Sequence, residues 1–251
     1  MILSVFGKKG GADKGEGVMQ DLLIEADGIK ASFGTNFQKY GADFDCCELD
    51  EKLAKKHGRK AGSYVTVQTN ADSQVGKALV YALKRFVKGR KSGLVVGMGN
   101  GDVIADALGK RVVENLKKKD LSGGRLSVFA PDVGALTNLD SVKLVQAVTD
   151  GFSPDYVVAV DALATSRVQR LCACYQFTDA ALRPGGGVGK GSVMDSKLLK
   201  THFIAIGVPF IIGADDICAG GKGGYFVPYD VDAKVEFCAA RIADALFACF
   251  G

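Results

Sequence analysis

The sequence predicts a single α/β domain over residues 1–251, built as three layers: a mostly parallel sheet with helices on both of its faces. Two observations lead to this fold class. Short runs of strand-forming residues alternate with longer amphipathic stretches along the chain. The strand-forming runs are apolar throughout, as is typical of parallel strands that are buried on both sides. A chain of 251 residues, 47% of them hydrophobic, is long enough to bury a large core.

The predicted elements follow one another in a regular order. A short helix over residues 48–57 is followed by a strand over 63–69 and by an amphipathic helix over 72–88. Later strands are predicted at 94–97, 125–130, 156–160 and 203–206, and later helices at 106–118, 140–151 and 233–250. Residues 1–17 are expected to be flexible, because the run 7–17 is rich in glycine and lysine and offers little apolar surface to bury.

Charge and composition exclude several classes of protein. The formal net charge of +4 is too small to indicate a protein that binds nucleic acid. No stretch approaches the roughly 20 apolar residues of a membrane span. The first residues lack the basic start of a signal peptide. We therefore expect a cytoplasmic protein whose partners include neither a nucleic acid nor a membrane.

The residues that usually hold metals are poorly placed for that role. The seven cysteines contain no C-x-x-C pair, which is typical of reduced and buried thiols. The two histidines, His57 and His202, have no cysteine or histidine at ligand spacing. We expect no metal site.

Two glycine-rich loops, GMGNGDVIADALG from residue 97 and RPGGGVGKGS from residue 183, resemble phosphate-binding loops only in part. In the first loop, Asp102 stands where a dinucleotide fingerprint needs its third glycine. In the second loop, a P-loop would need glycine at Pro184 and serine or threonine at Gly191. Both loops are interpreted as tight turns, and no cofactor is expected.

Two aspartates follow predicted strands in similar positions. Asp106 comes a few residues after the strand 94–97, and Asp161 comes directly after the strand 156–160. The carboxyl ends of parallel strands line one edge of a sheet, so both side chains can converge in one crevice. Two close carboxyl groups cannot both ionise easily, so one activates water while the other donates a proton. The alternative is that each aspartate caps the helix predicted to follow it.

Four segments resemble, in the same order, segments of the germination proteases of spore-forming bacteria. They are GMGNGDVIADALG, VVAVDALA, TDAALRPGGGVGKG and AIGVPFII. A weaker similarity extends back through LDEKLAKKHGRKAGSYVTVQ, so that the resemblance covers roughly residues 45–215. The family consists of aspartate-dependent endopeptidases. Its two proposed catalytic aspartates fall on Asp106 and Asp161, which supports their pairing.

The loops around these aspartates provide further candidate site residues. Gly99 and Asn100 belong to the first glycine loop, and Asp179 and Arg183 lie at the start of the second. For Asp179, a role in a turn is favoured over a role in catalysis.

The resemblance also implies biological properties of the protein. It implies a protein substrate, namely the small acid-soluble proteins of the spore, a location in the spore cytoplasm, a zymogen precursor and a homotetramer. The implied fold is similar to that of hydrogenase maturation proteases. Their acidic metal ligand is replaced here by Ala107, which argues against nickel. Two alternatives are a maturation-type peptidase that acts on one partner protein, and an inactive relative that binds peptides or serves as a scaffold.

Overall fold

The computed structural model describes residues 3–6, 22–25, 34–89, 91–184, 192–217 and 224–251. Of the segment 1–17, residues Leu3–Phe6 form a strand, and the remainder, with its predicted flexibility, lies outside the described residues. Most of the second glycine loop, residues 185–191, also lies outside them.

The described residues form ten strands and eight α-helices. The strands are β1 (Leu3–Phe6), β2 (Gly34–Lys39), β3 (Ala42–Leu49), β4 (Gly62–Gln68), β5 (Gly93–Gly97), β6 (Leu126–Phe129), β7 (Tyr156–Thr165), β8 (Cys174–Thr178), β9 (His202–Gly213) and β10 (Tyr225–Pro228). The helices are α1 (Glu51–Lys56), α2 (Val75–Leu83), α3 (Leu108–Lys117), α4 (Gly134–Thr137), α5 (Ser141–Phe152), α6 (Ser196–Leu199), α7 (Ala214–Ile217) and α8 (Val231–Phe250). Short 3₁₀ turns occur at Leu23–Glu25, Ile104–Asp106 and Val168–Arg170.

All ten strands belong to one mixed sheet. Its order is β2-β3-β4-β8-β9-β7-β5-β6, with β10 paired to β9 and β1 paired to β10. Strands β9, β7, β5 and β6 run parallel to their neighbours within that group. The remaining pairs are antiparallel. The predicted α/β class is confirmed, although only three of the nine strand pairs among the described residues are parallel. The parallel group contains Asp161 and is followed by the loop that contains Asp106.

Helices cover both faces of the parallel group, as predicted. On β5, Val95 points into a core that includes apolar residues of α2, α3 and α8. Its neighbours Leu94 and Val96 point to the opposite face, where residues of α5 and α6 pack against them. This alternation explains why the strand is apolar throughout, since both sets of side chains are buried. In the described part of the chain, no helix is both long and apolar enough to cross a membrane.

Several predicted boundaries were wrong. The helix predicted at 48–57 begins only at Glu51, because Glu48 and Leu49 complete β3. The strand predicted at 156–160 continues to Thr165 in β7, and a 3₁₀ turn follows it where a helix was expected. The strand predicted at 203–206 likewise continues to Gly213 in β9. These two strands extend because they pair with each other beyond the end of β5.

The order of the parallel strands reverses between β5 and β7. From β5 the chain passes through α3 to β6 on one side, and from β6 it passes through α5 to β7 on the other side. Helices α3 and α5 belong to opposite faces of the sheet. In α/β proteins, the carboxyl ends of strands at such a reversal of strand order form the usual binding crevice.

Two glycines allow α3 to lie directly on the strand ends beneath this crevice. A Cβ atom on Gly109 would lie 2.3 Å from Met98 N and 2.5 Å from Val160 O. A Cβ atom on Gly97 would lie 2.2 Å from Gly109 O. All these neighbours are backbone atoms, which cannot move aside as the end of a flexible side chain could. The first turn of α3 therefore requires glycine at both positions.

We predict that Gly109→Ala lowers the free energy of unfolding by about 1–3 kcal/mol, because the added methyl group overpacks a backbone contact. Urea denaturation of the variant and the wild type measures the difference. Gly76→Ala is the matched control, since a Cβ atom there meets nothing within 4 Å. Because Gly76 lies in α2, alanine there should raise stability by roughly 0.4–1 kcal/mol. Equal effects of the two substitutions would contradict the proposed contact.

Candidate active site

The end of β5 lies beside the middle of β7. Gly97 pairs with Val160, and the N–H of Met98 donates a 2.8 Å hydrogen bond to the carbonyl oxygen of Val160. Asp161, the next residue of β7, therefore lies beside the point where the chain leaves β5. Strand β7 continues there without β5 as its neighbour.

Asp106 returns to the same point from the loop that follows β5. Gly99 has a φ of +94°, in the left-handed region that glycine adopts most readily. A Cβ atom on Gly99 would lie 2.1 Å from the carbonyl oxygen of Asp106 and 3.0 Å from its Oδ1. The loop is thus closed on itself, with the Asp106 carboxyl group against Gly99. Asp106 thus returns to the region where β5 ends, and Asp161 is the first residue of β7 beyond that end.

The Asp106 carboxyl group does not cap α3. The residue at the N-cap position is Ala107, which makes no side-chain capping bond. Instead, Oδ2 of Asp106 accepts a 2.7 Å hydrogen bond from the backbone N–H of Asn100, six residues earlier. True caps have a different pattern, as at Asp140, whose Oδ1 accepts from the N–H groups of Val142 and Lys143 at the start of α5. The capping interpretation of Asp106 is wrong.

The capping interpretation of Asp161 is also wrong. This residue lies inside β7, which continues to Thr165, so it does not precede a helix. It is only 6% exposed, and its Oδ1 accepts a 3.0 Å hydrogen bond from the N–H of Ala162. A buried aspartate within a strand needs a reason other than helix capping.

Burial governs the electrostatics of Asp106. Removal from water disfavours the charged carboxylate and raises the pKa of Asp106 above its usual range, although the N–H of Asn100 partly offsets this effect. A carboxyl group with a raised pKa can hold a proton closer to neutral pH than an exposed aspartate can. Such a group is suited to act as an acid in the crevice.

The other candidate residues fall into two groups. Gly99 and Asn100 lie directly against Asp106. Asp179 instead accepts a 2.7 Å hydrogen bond from the N–H of Ser63 and joins the end of β8 to the start of β4, which favours the structural role. Arg183 directly follows Leu182, which forms a β-bridge with Met194 at the base of the second glycine loop.

The two ends of the second glycine loop are joined to each other. Leu182 and Met194 form an antiparallel bridge in which each N–H donates to the other's carbonyl oxygen, at 2.9 and 2.8 Å. Both residues pack into the apolar cluster that contains Met98, the residue that follows β5.

A buried polar cluster fixes the far end of β7, and the sequence did not reveal it. Glu25 accepts hydrogen bonds from the hydroxyl groups of Thr165 and Ser166 and from the N–H of Ser166, and it lies 2.9 Å from Arg170. Burial alone would raise the pKa of Glu25, but these donors outweigh it and lower that pKa. Because 140 residues separate Glu25 from Thr165, no local pattern could predict the contact. The cluster holds the strand that carries Asp161.

Within the described ranges, no group of three or more histidine, cysteine, aspartate or glutamate side chains is placed to hold a metal ion. A cavity of about 390 Å³ lies elsewhere, over strands β2 to β4. Its lining includes Gln38, Asp43, Asp45 and Arg170, and it contains neither of the two aspartates.

Comparison with known proteins identifies relatives over most of the chain. A sequence model of the germination protease family matches residues 25–221. The germination protease of Bacillus licheniformis is 33% identical over 204 residues, which cover 71% of this chain and 55% of the relative. The germination protease of Caldanaerobacter subterraneus subsp. tengcongensis is 32% identical over 188 residues, which cover 66% and 58%. The chain thus spans a little more than half the length of these relatives.

Among solved structures, the hydrogenase maturation protease HycI from Thermococcus kodakarensis aligns with a TM-score of 0.41 and 20% sequence identity. The alignment covers 66% of this chain and 99% of the HycI chain.

We predict that Asp106→Asn raises the melting temperature relative to the wild type, and that the gain grows as the pH rises from about 4 towards neutral. The folded state of the wild type holds its proton to a higher pH than the unfolded state, because burial raises the pKa of Asp106. Wild-type stability therefore falls as the pH rises from the usual aspartate pKa to the raised one. Asparagine does not ionise, so the stability of the variant does not fall in this way as the pH rises.

Thermal melts across this pH range measure the effect. Asp140→Asn is the control, because it replaces one good N-cap by another and should change stability by only a few tenths of a kcal/mol. If the melting temperature of Asp106→Asn does not exceed that of the wild type, or exceeds it by the same amount at every pH, burial does not destabilise the Asp106 carboxylate and the prediction is wrong.

Proposed function

The chain belongs to the germination protease family, and we propose that it is an endopeptidase in which the carboxyl groups of Asp106 and Asp161 activate water. One observation carries the proposal. Asp161 lies in β7 beside the end of β5, where the strand order reverses. Asp106 lies in the loop that follows β5, and neither aspartate caps a helix. A binding crevice is expected at that point of an α/β sheet.

The proposed reaction requires one ionised and one protonated carboxyl group. The ionised group takes a proton from water as the water oxygen attacks the carbonyl carbon of the peptide bond. The protonated group gives its proton to the carbonyl oxygen, which forms a neutral tetrahedral intermediate. When the C–N bond breaks, the first carboxyl group returns its proton to the leaving amine, and the second recovers its own from the intermediate.

We assign Asp106 as the group that starts protonated. Burial raises the pKa of its carboxyl group, which favours the neutral form. Asp161 is then the base that accepts the proton of water. We propose that the two groups titrate as a pair, so that the pH dependence of activity belongs to both.

The substrate and assembly follow from the family resemblance. We propose that the substrates are small acid-soluble spore proteins, that the enzyme acts in the spore cytoplasm as a homotetramer, and that it is made as a zymogen. Digestion of a purified small acid-soluble spore protein, followed by mass spectrometry of the fragments, tests the substrate. A single cleavage in one partner protein would instead favour a maturation-type peptidase, and binding without cleavage would favour a scaffold.

We predict that Asp106→Asn and Asp161→Asn each reduce turnover by roughly 10²- to 10⁴-fold, because each removes one proton transfer and leaves a side chain of similar shape. Turnover of the spore protein is measured beside circular dichroism of each variant. Asp140→Asn serves as the control and should retain wild-type activity, since Asp140 caps α5. Full activity of either site variant in a folded protein would refute the aspartate pair.

We also predict that exhaustive chelation leaves the activity unchanged. Carboxyl groups that shuttle protons need no metal ion, and the described residues provide no cluster of ligands. The wild-type protein is dialysed against EDTA and assayed with and without added divalent metals. Loss of activity that one metal restores would contradict this mechanism.

A further inference from the structure

We infer that the side-chain amide of Asn100 binds the carbonyl oxygen of the scissile peptide bond and stabilises the negative charge that develops there. This inference rests on the proposed peptidase function and assigns a catalytic residue in addition to the two aspartates. Its basis is the hydrogen bonding of Asn100, which leaves one donor group unused beside Asp106.

Three of the four polar groups of Asn100 are engaged within its own loop. The backbone N–H donates to Oδ2 of Asp106 at 2.7 Å, and the carbonyl oxygen accepts from the N–H of Val103 at 3.2 Å. Oδ1 of the side chain accepts from the N–H of Asp102 at 2.9 Å. In the described part of the chain, the remaining group, the Nδ2 amide, has no hydrogen-bond partner.

These bonds also determine the direction of the amide. The atom that faces the N–H of Asp102 must be an acceptor, so the oxygen occupies that position and the nitrogen the other. Nδ2 is therefore the donor of Asn100 that remains for a ligand. Asn100 as a residue is half-buried, so part of its surface is open to solvent.

Asn100 lies between two glycines against which other residues of this region pack. A Cβ atom on Gly99 would lie 3.0 Å from Oδ1 of Asp106, and one on Gly101 would lie 2.2 Å from Cδ of Lys110. The backbone N–H of Asn100 touches the Asp106 carboxyl group, so the amide begins only a few bonds from the proposed acid. In the inferred complex, a carbonyl oxygen that takes a proton from Asp106 also accepts a hydrogen bond from this amide.

The chemistry of an asparagine suits this position. In the transition state the carbonyl oxygen becomes more negative before the proton transfer is complete, and fixed donors aimed at it lower the barrier. An amide stays neutral and cannot compete for the proton that the two aspartates share. Removal of one such donor typically costs about 10²- to 10³-fold in kcat.

The test compares Asn100→Ala and Asn100→Asp with the wild type on the same small acid-soluble spore protein. Asn100→Ala removes both the amide and the turn that Oδ1 holds. Asn100→Asp keeps an oxygen for the N–H of Asp102 but has no amide donor. We expect both variants to lose roughly 10²- to 10³-fold in kcat, with little change in KM. Because both aspartates remain, Asn100→Ala should also keep the pH profile of the wild type.

A purely structural role predicts a different pattern. If Asn100 only held the loop, Asn100→Asp would restore most of the activity that Asn100→Ala loses, and that result would overturn the inference. Asn70→Ala is the matched control, because Oδ1 of Asn70 accepts from the N–H of Asp72 in the same kind of turn. This variant should keep full activity.

The aspartate variants separate the failure of this inference from the failure of the proposed function. Wild-type activity in both Asn100 variants, with inactive Asp106→Asn and Asp161→Asn, would refute the role of Asn100 alone. Activity that survives in the aspartate variants, or an inactive wild type, would overturn both.

Discussion

The backbone contact between α3 and the ends of β5 and β7 is the constraint on which the candidate site depends. Without side chains at Gly97 and Gly109, the first turn of α3 lies directly on the strand ends. The chain must then leave β5, form a tight loop and return to α3 within a few residues. This short path brings Asp106 back against Gly99 and fixes its carboxyl group to the N–H of Asn100. The geometry of the loop is therefore a consequence of close packing below it.

The site is maintained against the preference of carboxyl groups for water. Asp161 is buried inside a strand, and burial raises the pKa of Asp106. Apolar or neutral residues at these positions would cost less to bury. Other parts of the fold offset the free-energy cost of burying these carboxyl groups. Two apolar cores cover the parallel strands, and the Glu25 cluster holds the end of β7. Local rules of stability commonly fail at functional sites, where the residues serve chemistry.

The sequence predicted the parts of the fold that local patterns specify. The apolar runs at β4, β5 and β7 identified buried strands, and the strand ends identified both aspartates of the candidate site. Strand β2 escaped prediction because it is an exposed edge strand with mostly polar residues. The extension of β7 depends on its pairing with β9, which no local pattern contains. The capping interpretation failed for a similar reason, because Asp106 finds its partner in a loop whose shape depends on packing against Gly99.

The central claim is that Asp106 and Asp161 share one proton in one crevice. Carbon-13 NMR of the aspartate carboxyl groups, recorded as a function of pH in the wild type and in each asparagine variant, tests it most directly. The account predicts that the two groups titrate in coupled steps, that the upper step lies above the usual aspartate range, and that Asp161→Asn converts the titration of Asp106 to a single step. Two independent titrations, neither altered by substitution of the other aspartate, would contradict it.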